Sequence, residues 1–513
     1  MIGKHISAIK RQSRVGLSVF ILGIWIAWEI GGKIVASDLG PIEYFALACI
    51  GVAVAIAILR DWRQGFYIFL VWLLFEDLVR KFLGNNMAIY FAKDVLVGLV
   101  YISFYAQVRR GRAKTFRPPF LIFLGLFFWL AIVQVFNTNS SSIFYGLLGL
   151  KLYFYYIPLM FVGYALIRSD EDLRKFFVVN AVLAGVIGAL GIMQAIIGNS
   201  FLNPVTLAPA LQELGDLDKV TPLTNQILSL PSSVFVSSGR FAIYLIVAAI
   251  LMMGAAGYLL LYTKRSRKLI YAAFGIIGGA TLFSGSRGAV VYVCASALVL
   301  AVGFLWGAPW RWGQAHRLVR AIRRTFIVAA LALAALLLAF PDAAGSRLAY
   351  YTQTLSPNSS AYAVSARSWS YPIENLKLAF TNPNWVLGNG TGTASLGTQY
   401  VASMLGTPTT TSWVEEGYGA MILEMGIIAP FLWILWTAAL LIGAWKVVRS
   451  LRQTRFFPIA FAIFWWAFLL LYPFTYGGLA SYQNFVCNAY LWLLIGILFR
   501  LPEIYARKHT RVS

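Results

Sequence analysis

The chain alternates between long apolar runs and short polar breaks along almost its whole length. Apolar runs of about 17–25 residues match the length a helix needs to cross roughly 30 Å of hydrocarbon. They predict spans near 15–36, 41–59, 65–83, 88–107, 119–136, 144–167, 176–197, 241–262, 269–283, 288–306, 325–340, 417–445, 456–474 and 484–500. These fourteen segments predict an all-α polytopic bundle, one membrane domain over 1–513, and leave no room for a separate soluble domain. No repeat of fixed period is visible.

Two stretches interrupt the alternation, 198–240 and 341–416, both rich in Pro, Gly, Ser, Thr and Asn. Within the second, the apolar residues of 361–380 recur loosely at helical spacing. They predict a helical segment over the membrane mouth, broken near Pro372. Asn382-Pro383 then signals a turn, followed by a glycine-rich stretch with Gly388, Gly390, Gly392 and Gly397.

Composition supports the membrane reading and charge orients it. Of 513 residues 60% are hydrophobic and 12% charged, far from the balance of a soluble domain. The net charge of +23 would suggest nucleic acid in a soluble protein, but here it gathers in short loops. Thirty-one of the 42 basic residues fall on the even-side loops and the two termini. Only Lys33, Arg80, Lys81, Lys219, Arg240, Arg287, Arg347, Arg367 and Lys377 fall on the other side. The positive-inside rule then makes both termini cytoplasmic and the two long loops periplasmic. The basic first 14 residues lead into a run too long for a cleaved signal, so they read as preceding a first span. Cys49, Cys294 and Cys487 are too far apart to suggest a disulfide framework or a zinc site.

Few charges face outward, so the ones there are worth weighing singly. In Ser284-Gly285-Ser286-Arg287-Gly288-Ala289, glycines let the backbone turn at a span junction while serines and an arginine supply donors, a combination suited to phosphate. An interfacial anchor that snorkels is the plainer role for Arg287 and for Arg240. Arg367 lies in the larger loop, Glu415-Glu416 precede the twelfth span, and Glu424 lies two turns into it, where a structural role is expected. Trp369, Tyr371, Trp413 and Tyr418 are candidates for stacking on sugars. Lys93, Asp94 and Lys151 are intramembrane charges, functional candidates by default. Glu76-Asp77 with Arg80-Lys81 reads as an interfacial ion-pair cluster. Arginines beside one carboxylate suit displacement at a sugar carried on pyrophosphate. The arginines stabilise the leaving group, the carboxylate takes the proton of the attacking hydroxyl, and no metal is needed to neutralise the leaving group.

The ordered set Ser286-Arg287-Gly288, Arg367 with Trp369, Gly388-Asn389-Gly390, and Glu424-Met425-Gly426 resembles the O-antigen ligase and polysaccharide polymerase superfamily over about residues 230–450. Ser238-Gly239-Arg240 is similar to that family's turn before a span, without the Pro-Asn that often follows. The resemblance implies an inverting, metal-independent membrane glycosyltransferase with no cofactor, at the periplasmic face of a bacterial inner membrane. Its donor would be a glycan on undecaprenyl pyrophosphate. Its acceptor would be another glycan, as in exopolysaccharide polymerisation, or lipid A-core, as in lipopolysaccharide biosynthesis. A flippase and a chain-length regulator would be partners in the membrane, and nucleic acid would not. The family's two key arginines map to Arg287 and Arg367, with Arg240 and Ser286 as further pyrophosphate ligands and Glu416, Glu424 and Trp369 in support. The family's histidine falls at Glu415, nine residues before Glu424. Glu415 then either serves as the base itself or marks a branch with a changed role. A flippase of lipid-linked saccharide, also with about fourteen spans, is the alternative, and a non-catalytic scaffold is a third.

Overall fold

The computed structural model describes residues 41–509 except 85–86, 205–217, 263–265, 361, 363, 407–413 and most of 311–337. The expected first span, most of the eleventh, and Trp413 lie outside the described residues. In chain order the helices are α1 (Pro41–Arg60), α2 (Trp62–Leu83), α3 (Met87–Arg109), α4 (Leu121–Val135), α5 (Ile143–Phe154), α6 (Leu159–Leu166) and α7 (Asp170–Ile197). A two-stranded antiparallel ribbon, β1 (Asp218–Val220) and β2 (Ile227–Ser229), follows. Then come α8 (Ser238–Tyr262), α9 (Arg267–Phe283), α10 (Arg287–Gly307), α11 (Pro341–Leu355), α12 (Tyr371–Thr381) and α13 (Thr398–Leu405). The chain ends through α14 (Gly417–Met425), α15 (Ile428–Ser450), α16 (Phe457–Leu469) and α17 (Phe485–His509). Among the described residues eight helical segments are long and apolar enough to cross a membrane, which makes this a multi-pass helical membrane protein.

The chain forms two compact units. The first holds α1, α2 and α3 as far as Ser103. Asp61 caps α2 by accepting from the Arg63 amide at 3.0 Å. The cluster Glu76, Asp77, Arg80 and Lys81, expected at an interface, is buried inside the unit, as is Lys93. Lys93 on α3 donates to Glu76 on α2 at 3.0 Å, and Arg80 pairs with Asp77 at 3.2 Å. The cluster is therefore an interior network joining two helices, because an unpaired charge at this depth would be far costlier than a paired one.

In the second unit α8, α16 and α17 form the core, with Trp433, Trp436, Trp466 and Trp492 fully buried beside them. Polar contacts mark its two ends. At one end Arg455 pairs with Asp170 at 2.6 Å, Arg174 donates to Ser266 at 2.8 Å, and Arg500 donates to the Ile167 carbonyl at 3.1 Å. At the other, Gln194 accepts from the Ser232 and Ser233 amides, and Gln134 donates to the Leu387 carbonyl. The ribbon at residues 218–229 and the glycine-rich stretch at residues 388–397 pack at this second end.

Two expectations about helix continuity need correction. Pro372 does not break a helix: residues 366–370 form a π-turn that runs directly into α12, with Pro372 in its first turn. A wide turn tolerates the missing proline donor, and a second π-turn at Leu470–Phe474 likewise contains Pro473. The expected span 417–445 is instead two helices, because Gly426 adopts φ +79 between α14 and α15.

Candidate functional site

The turn between α9 and α10 is built as its sequence suggests. The Ser284 hydroxyl donates to the Thr281 carbonyl at 2.7 Å and accepts from the Ser286 amide at 3.1 Å. Ser286 caps α10 by accepting from the Ala289 amide at 3.3 Å, which leaves Arg287 as the first residue of the helix. Gly285 has φ +65, and a Cβ there would lie 2.3 Å from a Leu230 methyl, so the ribbon seats directly on this turn. Arg287 is half-buried with its guanidinium 5.4 Å from the centre of the Tyr350 ring.

Helix α11 holds the ribbon in place. Arg347 donates at 2.8 Å to the Phe283 carbonyl at the end of α9 and at 2.8 Å to the Ser229 carbonyl on β2. Burial lowers this guanidinium to about 10, still charged at neutral pH. Gln353 receives the Leu223 amide at 3.0 Å and donates to Thr224 at 3.2 Å, fixing the ribbon's turn. Leu228 and Leu230 pack against Tyr350 between these polar ties.

The carboxylate candidate Glu415 is held by the π-turn and α12. Glu415 is exposed, with its carboxylate Oε2 3.8 Å from the Arg367 guanidinium and accepting the Tyr371 hydroxyl. Its amide donates to Asn375 on α12 at 3.2 Å. Arg367 stacks 4.7 Å above the Tyr371 ring. The hydrogen bond to the Glu415 carboxylate raises the Tyr371 phenol above its ordinary value, so it remains a donor at neutral pH. Trp369, on the same π-turn as Arg367, is 68% exposed and open to a ligand.

Glu416 and Glu424, adjacent or near in sequence, are placed differently. Glu416 is buried at the start of α14, where its two carboxylate oxygens accept from the Tyr418 and Gly419 amides at 3.0 and 2.5 Å. Burial pushes this carboxyl up to about 7, against the pull of those two amides. Glu424 is fully buried at the break after α14 and accepts from Tyr153 at 2.9 Å, Ser395 at 2.6 Å and the Ala394 amide at 3.2 Å. It ties the glycine-rich stretch to the bundle.

That stretch is held by close backbone approach. Gly388 has φ +80, and a Cβ there would meet the Glu424 carbonyl at 2.5 Å. The Asn389 amide donates to the Leu423 carbonyl at 2.8 Å and the Gly390 amide to that of Glu424 at 2.9 Å. The Gly-Asn-Gly and Glu-Met-Gly elements noticed in the sequence therefore touch each other and fix the C-terminal end of α14.

The structure thus brings together Arg367 and Glu415 and places Arg287 beside the ribbon. Arg240 stands in the first turn of α8 with its guanidinium 5.0 Å from the Phe485 ring centre. Sequence reasoning missed Asn375, Arg347 and Lys219. The β1 residue Lys219 lies within electrostatic range of both Arg287 and Arg367. Desolvation, and then those two positive charges, lower its ammonium below the ordinary lysine value. Its position in a polar loop gave no hint of this. Among the described residues no three His, Cys, Asp or Glu side chains gather as metal ligands would. Comparison with protein-family models, curated proteins and solved structures gives no match for this chain.

Proposed function

We propose that the protein is an inverting glycosyltransferase of bacterial surface-polysaccharide synthesis that uses a glycan on a polyprenyl pyrophosphate at the periplasmic face of the inner membrane. The observation that supports this reading best is the Glu415 carboxylate held against Arg367 and the Tyr371 hydroxyl, with Arg367 and Arg287 both within electrostatic range of Lys219. An acceptor hydroxyl attacks the anomeric carbon and gives its proton to Glu415 as the new C–O bond forms. The bond from that carbon to the pyrophosphate oxygen breaks on the opposite face, and its electron pair leaves on polyprenyl pyrophosphate. Arg287 and Arg367 stabilise the charge that develops there. Exposed Trp369 offers a face on which a sugar ring stacks.

Polymerase and ligase chemistry share these steps and differ in acceptor; the absence of the family's histidine favours the polymerase. The test is purified protein with a lipid-linked oligosaccharide, read for elongation or transfer against release of free carrier. A flippase reading draws on a different observation, the buried charges Glu76 and Lys93 in the first unit. Carrier translocated between leaflets with no new glycosidic bond would favour it.

A further inference from the structure

We propose that Lys219 is a third cationic ligand for the donor's diphosphate, presented to the site by the β1–β2 ribbon. The proposal rests on the reading of Arg287 and Arg367 as a diphosphate site, and it adds a residue and a structural element to that site.

Three observations carry it. In the antiparallel ribbon Lys219 pairs directly with Leu228, so the two side chains stand on the same face. Leu228 packs with Leu230 and Tyr350, and the Arg287 guanidinium lies over that same Tyr350 ring. The ribbon is also not free to drift. Arg347 ties β2 to the end of α9, Gln353 ties the turn to α11, and Leu230 fills the space at Gly285. A cation on this ribbon is therefore held at a fixed place next to the α9–α10 turn.

Electrostatics point to what the place accepts. Desolvation on the ribbon, and then the charges of Arg287 and Arg367, lower the Lys219 ammonium below the ordinary lysine value. Of these three cations Arg367 lies against Glu415, whose carboxylate also accepts the Tyr371 hydroxyl. Lys219 and the two arginines within its electrostatic range repel one another until an anion of two or more charges arrives, and a diphosphate supplies them. The lysine adds a compact, movable point charge to the flat forks of two arginines.

The experiment titrates inorganic pyrophosphate into full-length protein in nanodiscs, followed by calorimetry. It compares the parent with Lys219→Met, Lys219→Arg and Arg287→Ala, with elution volume and tryptophan emission as controls for folding. Lys219→Met is expected to weaken binding about tenfold, the usual size of a charged hydrogen bond. Lys219→Arg is expected to stay near the parent. Raising the pH toward the ordinary lysine range should weaken binding in the parent and leave Lys219→Arg unaffected. Parent-like binding in Lys219→Met, with binding lost in Arg287→Ala, would overturn the role of Lys219 and leave the arginine site standing. No pyrophosphate binding by the parent would overturn both.

Discussion

The guanidinium of Arg367 lies 3.8 Å from the Glu415 carboxylate, although the two residues come from different platforms, a π-turn before α12 and the approach to α14. Both are well exposed, so the pair adds little to stability. Arg367 and Tyr371 both meet the same carboxylate oxygen, Oε2, which in the proposed mechanism leaves the other for the acceptor hydroxyl. A pair of this kind orders a reaction centre before substrate arrives.

Arg287→Ala and Arg367→Ala should each lower turnover by roughly 10²–10³, the usual loss when one stabilising donor is removed. Folded protein in the membrane should be unchanged. Arg287→Lys should restore little, since an ammonium cannot reproduce two parallel hydrogen bonds to a phosphate. Single-turnover rates on the lipid-linked donor check this, and full activity in Arg287→Ala would remove the arginine clamp from the mechanism.

Glu416 should act on stability rather than turnover. Its folded carboxyl titrates at about 7 against 4.5 for the ordinary group. Between those values the folded protein holds a proton that the unfolded chain has released. Its contribution is complete below about 4.5 and is lost as pH rises through about 7, on the order of 2–3 kcal/mol. Glu416→Gln should flatten that part of the pH–stability profile in thermal unfolding while turnover changes far less than in Glu415→Gln. Parallel profiles for parent and variant would contradict the assignment.

Gly388→Ala and Gly426→Ala should reduce the yield of folded protein. Both glycines have positive φ, and a Cβ would come within 2.5 Å of the Glu424 carbonyl in the first case and 2.2 Å of the Val386 carbonyl in the second. The left-handed conformation costs about 1–2 kcal/mol for an alanine, and the overlap adds about 1–3 kcal/mol. Gly51→Ala, where nothing lies within 4 Å of the new Cβ, should be tolerated and serves as the control.

Within the first unit, Lys93→Met should destabilise by about 3–5 kcal/mol, because it leaves the buried Glu76 carboxylate without its ammonium. The Lys93→Met, Glu76→Gln double variant should recover much of that loss. Detergent-unfolding midpoints measure both, and additive losses would show that the two groups are not coupled.

These outcomes depend on features that were unequally legible in the sequence. The helix starts at Ser238 and Arg287 were readable, because serine and glycine at a span junction supply the cap and the turn that the backbone needs. The membrane character followed from apolar run lengths alone. The contact of Gly388 with Gly426 was suggested only as two glycine motifs, since nothing local says that backbones 38 residues apart will touch. The pairing of Glu76 with Lys93 was not legible in the Glu76-Asp77, Arg80-Lys81 cluster, because charge spacing on one helix does not reveal a partner on the next. The continuous path through Pro372 was hidden by the rule that proline ends a helix, which a π-turn relaxes. Lys219 was invisible for a simpler reason: its neighbours come from segments about 70 and 150 residues away.

The most direct measurement is turnover of a synthetic polyprenyl-pyrophosphate oligosaccharide by purified parent protein and by Glu415→Gln, following glycan product and released carrier together. The parent should form one new glycosidic bond for each polyprenyl pyrophosphate released. Glu415→Gln should do so more slowly by roughly 10²–10⁴, the usual value of a positioned base, while still binding the donor. A parent protein that leaves the donor unconsumed, or a Glu415→Gln protein as fast as the parent, would contradict the account.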